Sequence, residues 1–117
     1  MPFGWQTRLA RSSEIKQVFS QGKRLSCGVF LMIAAQNTDD PGRKSARVCV
    51  IASRKVSGRA ADRNLLKRRL RALYREHQSL IPANLDLILI ARTGMLRTPY
   101  TELQKRFKKA CANLHRL

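Results

Sequence analysis

The sequence predicts an α/β (α+β) domain with the element order α-β-β-β-α-β-α, and three observations predict it. Three runs rich in Val, Ile, Leu or Ala, residues 29–36, 46–53 and 85–92, have strand length and contain no Gly or Pro. The segment between the second and third runs, and the segment after the third, carry apolar residues at helical spacing. A shorter amphipathic stretch precedes all of them. The 117 residues suffice for one domain with one modest core. We therefore read 1–117 as a single domain, with 1–8 as a flexible N-terminal segment.

The first helix is expected over residues 12–21. Ser12 or Ser13 can cap it, Ile15, Val18 and Phe19 form its apolar stripe, and Gly22 suits its end. A short strand near residues 23–27 follows. The strands at 29–36 and 46–53 are joined by "NTDDPGRKS", whose Asp-Pro-Gly chemistry favours a turn and suggests an antiparallel pair. Asp39 and Asp40 serve that turn as they stand and need no metal. The central helix ends before Pro82, and a strand, a helix and a strand make a crossover unit with parallel strands. The last helix opens at Thr98-Pro99, and Leu103, Phe107, Cys111 and Leu114 mark its buried side.

Charge bounds the function. With 24 Lys and Arg against 7 Asp and Glu, the net charge is +17, while 44% of the residues are hydrophobic. A disordered basic tail is excluded by the second figure, and the first calls for a polyanionic partner. An anionic membrane fits poorly, because the longest apolar run, Val29 to Ala35, is far too short to span a bilayer. Nucleic acid is the better partner. Cys27, Cys49 and Cys111 are odd in number and widely spaced, without a CxxC pair, so they read as small buried thiols of a reducing compartment.

The stretch "RAADRNLLKRRLRALYRE", from Arg59 to Glu76, concentrates that charge: seven Lys or Arg residues against Asp62 and Glu76. At about 100° per residue, Leu66, Leu70 and Leu73 fall within one arc, with His77 beside them. Arg63, Lys67, Arg71 and Arg75 recur every fourth residue as a ridge, which Asn64 and Arg68 widen into a face. Arg54, Lys55 and Arg59 carry the charge back toward the preceding strand. Like charges at i,i+4 oppose helix formation by a few tenths of a kcal/mol per pair. Leucine burial must outweigh that in the free protein, and a row of phosphates would relieve it in a complex. Guanidinium forks suit bidentate phosphate contact. Aromatic residues are only 6% of the chain, so a sheet studded with stacking rings is not expected.

Catalysis by this chain has little support. His77 and His115 lie in different helices, no hydrolase, zinc-protease or phosphate-loop pattern is present, and the carboxylates are scattered. No catalytic and no metal-ligating residue is assigned.

The segment "SRKVSGRAADRNLLKRRLRALYRE", Ser53 to Glu76, resembles the signature of the bacterial ribonuclease P protein subunit. In that signature a basic pair follows a strand, then come an Arg-Asn-Arg core, a Lys-Arg pair and a further Arg on one helix. Arg54 and Lys55 match the pair, Arg63 and Asn64 the start of the core, and Lys67, Arg68 and Arg71 the rest. "RLARSSEIKQVFSQGKR" looks like the family's N-terminal segment and "LDLILIAR" like its late strand, so the resemblance covers roughly residues 8 to 115.

The resemblance implies a two-layer sandwich like the second domain of ribosomal protein S5, with a left-handed crossover around the basic helix where general topology rules give a right-handed one. It implies that a large RNA subunit, with Mg2+ at its own active site, removes the 5′ leader of precursor tRNA. The chain would bind that RNA, one protein per RNA subunit, in the cytoplasm, through Arg54, Lys55, Arg59, Arg63, Asn64, Lys67, Arg68 and Arg71. A cleft between the first helix and the sheet would receive the single-stranded leader, near Phe19, Phe30 and Ser53. Two departures stand out. Leu65 takes the third core position, where the family usually has Arg, and Ile15 and Ile33 stand where aromatics are common. The nearest rival is a structural ribosomal or other RNA-binding protein of the same fold with no role in cleavage, which would not need the spaced Arg-Asn motif. A helix-turn-helix reader of DNA would need a short helix where a strand is expected.

Overall fold

The computed structural model describes residues 9, 11–37 and 42–114. Its elements are α1 (Ser12–Gln21), β1 (Lys23–Ser26), β2 (Phe30–Gln36), β3 (Arg47–Ile51), α2 (Ala60–Glu76), β4 (Leu85–Ala91) and α3 (Tyr100–Leu114), with short 3-10 turns at Gln78–Leu80 and Met95–Arg97. The element order is the expected one. Residues 1–8, the linker aspartates Asp39 and Asp40, and His115 lie outside the described residues.

One sheet of order β1-β2-β4-β3 forms the middle of the molecule. β1 and β2 are antiparallel, β2 and β4 are antiparallel, and β3 runs parallel to β4 with α2 as the crossover between them. The expected pairing of β2 with β3 is therefore corrected: β4 lies between them. The nine-residue linker is longer than the two to five residues that hold hairpin strands as neighbours. β4 is apolar on both faces, with Leu85, Leu87 and Leu89 alternating with Ile88, so its burial is greatest in a central position.

Strand alternation divides the core in two. Phe30, Met32, Ala34, Val48, Leu85, Leu87 and Leu89 pack under α2 and α3, where Leu66, Leu70, Leu73, Leu103, Phe107, Cys111 and Leu114 meet them. Leu31, Ile33 and Ile88 face the other way and pack with Leu9 and with Val18 of α1. The arc of α2 is fully buried as expected, and Tyr74 belongs to it too, donating its hydroxyl to the Ala46 carbonyl beside β3. His77 sits at the arc's edge, half-buried, with its ring centroid 5.1 Å from that of Phe107.

The expected N-terminal caps are not the observed ones, whereas Gly22 ends α1 as expected. Ser12 is the first residue of α1 and Arg11 precedes it, with no side-chain cap hydrogen bond. Gly22 ends α1 in an extended conformation, and its need is one of space: a Cβ there would lie 2.4 Å from the Val18 carbonyl oxygen and 2.6 Å from Ile33 Cγ2. Thr98 turns its hydroxyl back to Gly94 O (2.8 Å), so the Pro99 carbonyl begins α3 by accepting from Leu103 N (3.2 Å). Burial pushes the Cys27 thiol up to about 11 and the Cys111 thiol up to about 12, which keeps both protonated and inert at neutral pH.

One charged residue is buried among the described residues, Asp86 at the start of β4. Its Oδ1 accepts from Arg43 Nη1 (2.8 Å) and Arg47 Nε (3.0 Å), and its Oδ2 from Asn37 Nδ2 (2.8 Å) and Arg47 Nη2 (2.9 Å). Burial alone would raise its pKa. The hydrogen bonds from Arg47 and Asn37 and the charges of Arg43 and Arg47 outweigh burial and hold it below the usual carboxylate range. Arg47 also reaches Glu14 of α1, which links the sheet to that helix.

Candidate nucleic-acid interface

α2 can carry its charge because its other side is locked down. Leu66, Leu70, Leu73 and Tyr74 are fully buried, while Arg63, Lys67 and Arg71 are half-buried beside them and Asn64 and Arg68 are exposed. Lys67, Arg68 and Arg71 have no carboxylate within 4.0 Å among the described residues, and Arg59 has only an exposed contact to Asp62 at 4.0 Å. Lys67, Arg68 and Arg71 thus form a row of cations with no acidic partner among the described residues.

The approach to α2 is equally ordered. Val56 N donates to Ser53 O (3.1 Å) just after β3, which folds a tight turn carrying Arg54 and Lys55 outward. Ser57 then ties that turn to the helix: its hydroxyl donates to Asp62 Oδ2 (2.9 Å) and its carbonyl accepts from Arg63 Nη1 (3.0 Å). The structure so brings Arg54, Lys55, Arg59, Arg63, Asn64, Lys67, Arg68 and Arg71 onto one turn and one helix. Leu65 is half-buried, on the flank of α2 that also carries Glu76. Glu76 accepts from Tyr100 Oη (3.0 Å) and Gln104 Nε2 (2.9 Å) of α3, so Leu65 lies on the α3 side and away from the ridge.

The expected cleft residues are not brought together. Phe19 is half-buried on α1, against the second core. Phe30 has no exposed surface and points into the layer of α2 and α3, its ring 6.2 Å from that of Phe107, so it does not line the α1 side. Its place in β2 decides this, since neighbouring strand residues face opposite sides. Ile33 is likewise fully buried, beneath Gly22, and presents nothing to a ligand. Ser53 is exposed at the end of β3.

What lies beside α1 instead is a strip of half-exposed apolar residues: Ile15 and Phe19 from the helix, Cys49 and Ile51 from β3, and Ile90 from β4. Glu14 of α1 meets Arg47 at the end of this face where Asp86 and Arg47 pair, while Ile51 and Ile90 toward the other, more open end are only half-buried. Register puts Ser26 opposite Leu31, and Leu31 opposite Ile90, at that open end. Arg92, next in alternation after Ile90, donates from Nη1 to Ser26 Oγ (3.0 Å) there. The sequence reading missed Arg92; the alternation Asp86, Ile88, Ile90, Arg92 would have put it on the α1 side.

The described residues hold no group of three or more His, Cys, Asp or Glu side chains fit for a metal ion. The five described carboxylates are each engaged with donors or cations: Glu14 with Arg47, Asp62 with Ser57, Glu76 with Tyr100 and Gln104, Asp86 with its arginines, and Glu102 with Arg106 at 3.2 Å. No described helix is long and apolar enough to cross a membrane.

A family model described as Ribonuclease P matches residues 3–115. The chain is 33% identical over 100 residues to the ribonuclease P protein component of Syntrophomonas wolfei, covering 86% of this chain and 80% of that one. To the corresponding protein of Thioalkalivibrio sulfidiphilus it is 30% identical over 118 residues, covering 95% and 94%. Among solved structures, the RNase P protein from Thermotoga maritima superposes with a TM-score of 0.76 at 25% identity, over 94% of this chain and 96% of that chain. The fold of the Staphylococcus aureus RNase P protein is shared at a TM-score of 0.74, with 23% identity over 88% and 90%.

Proposed function

The chain belongs to the ribonuclease P protein family and acts as the protein subunit of that enzyme in tRNA processing, and from this premise we propose how its two surfaces divide the work. The ridge of α2 and the turn before it bind the large catalytic RNA. The open apolar strip beside α1 receives the single-stranded 5′ leader of precursor tRNA. The observation that carries this reading is the pairing of the two surfaces: on α2 the cations Lys67, Arg68 and Arg71, with no carboxylate within 4.0 Å among the described residues, and on the opposite face of the sheet a half-exposed apolar strip ending in Arg92.

The ridge suits a folded RNA because it offers spaced phosphate contacts without base reading. α2 is a formed helix, so binding need not order its backbone. The strip suits a single strand because unpaired bases can lie on apolar side chains while a cation meets the backbone. Phe19 is the aromatic in it, and Arg92 the cation at its open end. Ser53 lies at the far end of β3, toward Arg54 and Lys55. Phe30 has no part in this reading.

Hydrolysis falls to the RNA, with Mg2+ held there. The support is the donor set of the chain, whose described carboxylates are taken up by arginines, amides and hydroxyls and so are poorly placed to hold two metal ions. One protein per RNA subunit, and a cytoplasmic place of work, complete the proposal. The isolated chain, freed of RNA, is expected to leave precursor tRNA intact at every Mg2+ concentration. Site-specific cleavage by RNA-free protein, with the activity following the protein through gel filtration, would overturn the assignment.

Phe19→Leu tests the strip. The change keeps apolar volume against the second core, so folding by circular dichroism should be retained. The affinity advantage of long-leader precursor over mature tRNA should fall by the worth of one stacked base, about 1–3 kcal/mol. An equal loss for both substrates would make Phe19 a packing residue only.

A further inference from the structure

α1 forms one wall of the apolar strip, yet little of the usual kind holds it in place. Val18 is its single fully buried residue, and its N-terminus has no side-chain cap. At its C-terminal end the close approach of Gly22 to Ile33 fixes it by shape. At its N-terminal end, among the described residues, one ion pair ties it to the sheet, Glu14 with Arg47.

Arg47 is not a loose surface cation. Its Nε and Nη2 both donate to Asp86, which is held on its other sides by Asn37 Nδ2 and Arg43 Nη1. Arg43 is itself anchored to the backbone, donating from Nε to Ala83 O (2.9 Å) and from Nη2 to Leu85 O (2.7 Å). Two carboxylates and two guanidiniums thus form a neutral, partly buried cluster across the ends of β3 and β4, and its outermost member is a residue of α1. A guanidinium held by two bonds to a buried carboxylate has little freedom, so the carboxylate it pairs with is placed rather than merely attracted.

We propose that Arg47, made rigid by Asp86, is a positioning residue for leader binding: through Glu14 it sets the pose of α1 over the sheet, and with it the opening between Phe19 and the strip of Ile51 and Ile90. This rests on the reading of the strip as the leader site. Neither Arg47 nor Glu14 touches the leader in this arrangement. They act through the wall they hold.

The test uses the holoenzyme reconstituted from the full chain and its RNA subunit, with Glu14→Ala and Glu14→Gln. Asp86 variants endanger folding, whereas Glu14 lies on a surface helix and can be changed without emptying the core. Affinity is measured for a long-leader precursor, for mature tRNA and for the RNA subunit alone. Glu14→Ala should reduce the long-leader advantage about threefold to tenfold, within the range for couplings carried by residues that contact no ligand. The other two affinities should stay unchanged. Glu14→Gln, which keeps an acceptor for Arg47, should recover part of the loss. Hydrogen exchange of the free protein should show faster exchange in α1 of Glu14→Ala and unchanged exchange in β2 and β4. A full long-leader advantage in Glu14→Ala overturns the positioning role while leaving the leader site standing. Equal weakening of all three affinities also overturns it, since the pair is then structural only. The absence of any long-leader advantage in the unmodified protein removes the leader site and this role together.

Discussion

Asp86→Ala is expected to lower the stability of the protein by about 3–5 kcal/mol, as when one partner of a buried ion pair is removed. The guanidiniums of Arg43 and Arg47 would be left without the carboxylate that accepts four hydrogen bonds from three side chains. A domain of this size is stable by only about 5–15 kcal/mol, so urea unfolding should show a large fall in midpoint or a chain that no longer folds. Asp86→Asn should be nearly as damaging, because its amide turns donors toward donors. The pH dependence has a definite sign. Asp86 has a folded pKa below its unfolded value of about 3.9, so its contribution is fully present above that value and is lost as pH falls through the folded pKa. The stability gap between the native protein and Asp86→Asn should therefore be constant from neutral pH down to about pH 5 and shrink below about pH 4. A gap unchanged into strong acid would mean that the Asp86 charge does not hold this corner.

The second large effect is on RNA. Replacing Lys67, Arg68 and Arg71 together by alanine is expected to weaken binding to the large RNA on the order of a hundredfold, at about 1 kcal/mol per exposed charge-assisted contact. The slope of log affinity against log salt should flatten by about three units if each side chain meets one phosphate. Arg63 is better left in place, because its bond to Ser57 O also shapes the turn that carries Arg54 and Lys55. The free protein should gain rather than lose stability. The change removes the like-charge pairs Arg63–Lys67, Lys67–Arg71 and Arg71–Arg75, each opposing the helix by about 0.2–0.5 kcal/mol, and alanine is the best helix former. Weaker RNA binding with an equal or higher melting temperature separates a binding surface from a structural one. Unchanged affinity and slope would move the RNA contact elsewhere on the chain.

Much of this was legible in the sequence because the signals are local. Leu66, Leu70 and Leu73 recur at the helical period, so the buried arc of α2 and the cationic ridge beside it follow from spacing alone. The three strand cores lie within a residue or two of the expected ends, since each is a short, mainly apolar run without Gly or Pro. The family could be recognised for the same reason: its signature lies on one turn and one helix, contiguous in the chain.

What only the tertiary structure decided depends on residues far apart in the chain. That β4 enters between β2 and β3, and that Phe30 and Ile33 are both buried on opposite faces, depends on strand order and register, which no window of sequence contains. The same holds for the apolar strip beside α1, assembled from Phe19, Ile51 and Ile90. It holds most of all for Asp86, which reads in the sequence as a polar residue opening a strand. Asn37, Arg43 and Arg47 reach it from the end of β2, a loop and a neighbouring strand, and Glu14 of α1 joins through Arg47. A charge is stabilised by whatever stands around it in space, so its role appears only when the chain has folded its partners into place.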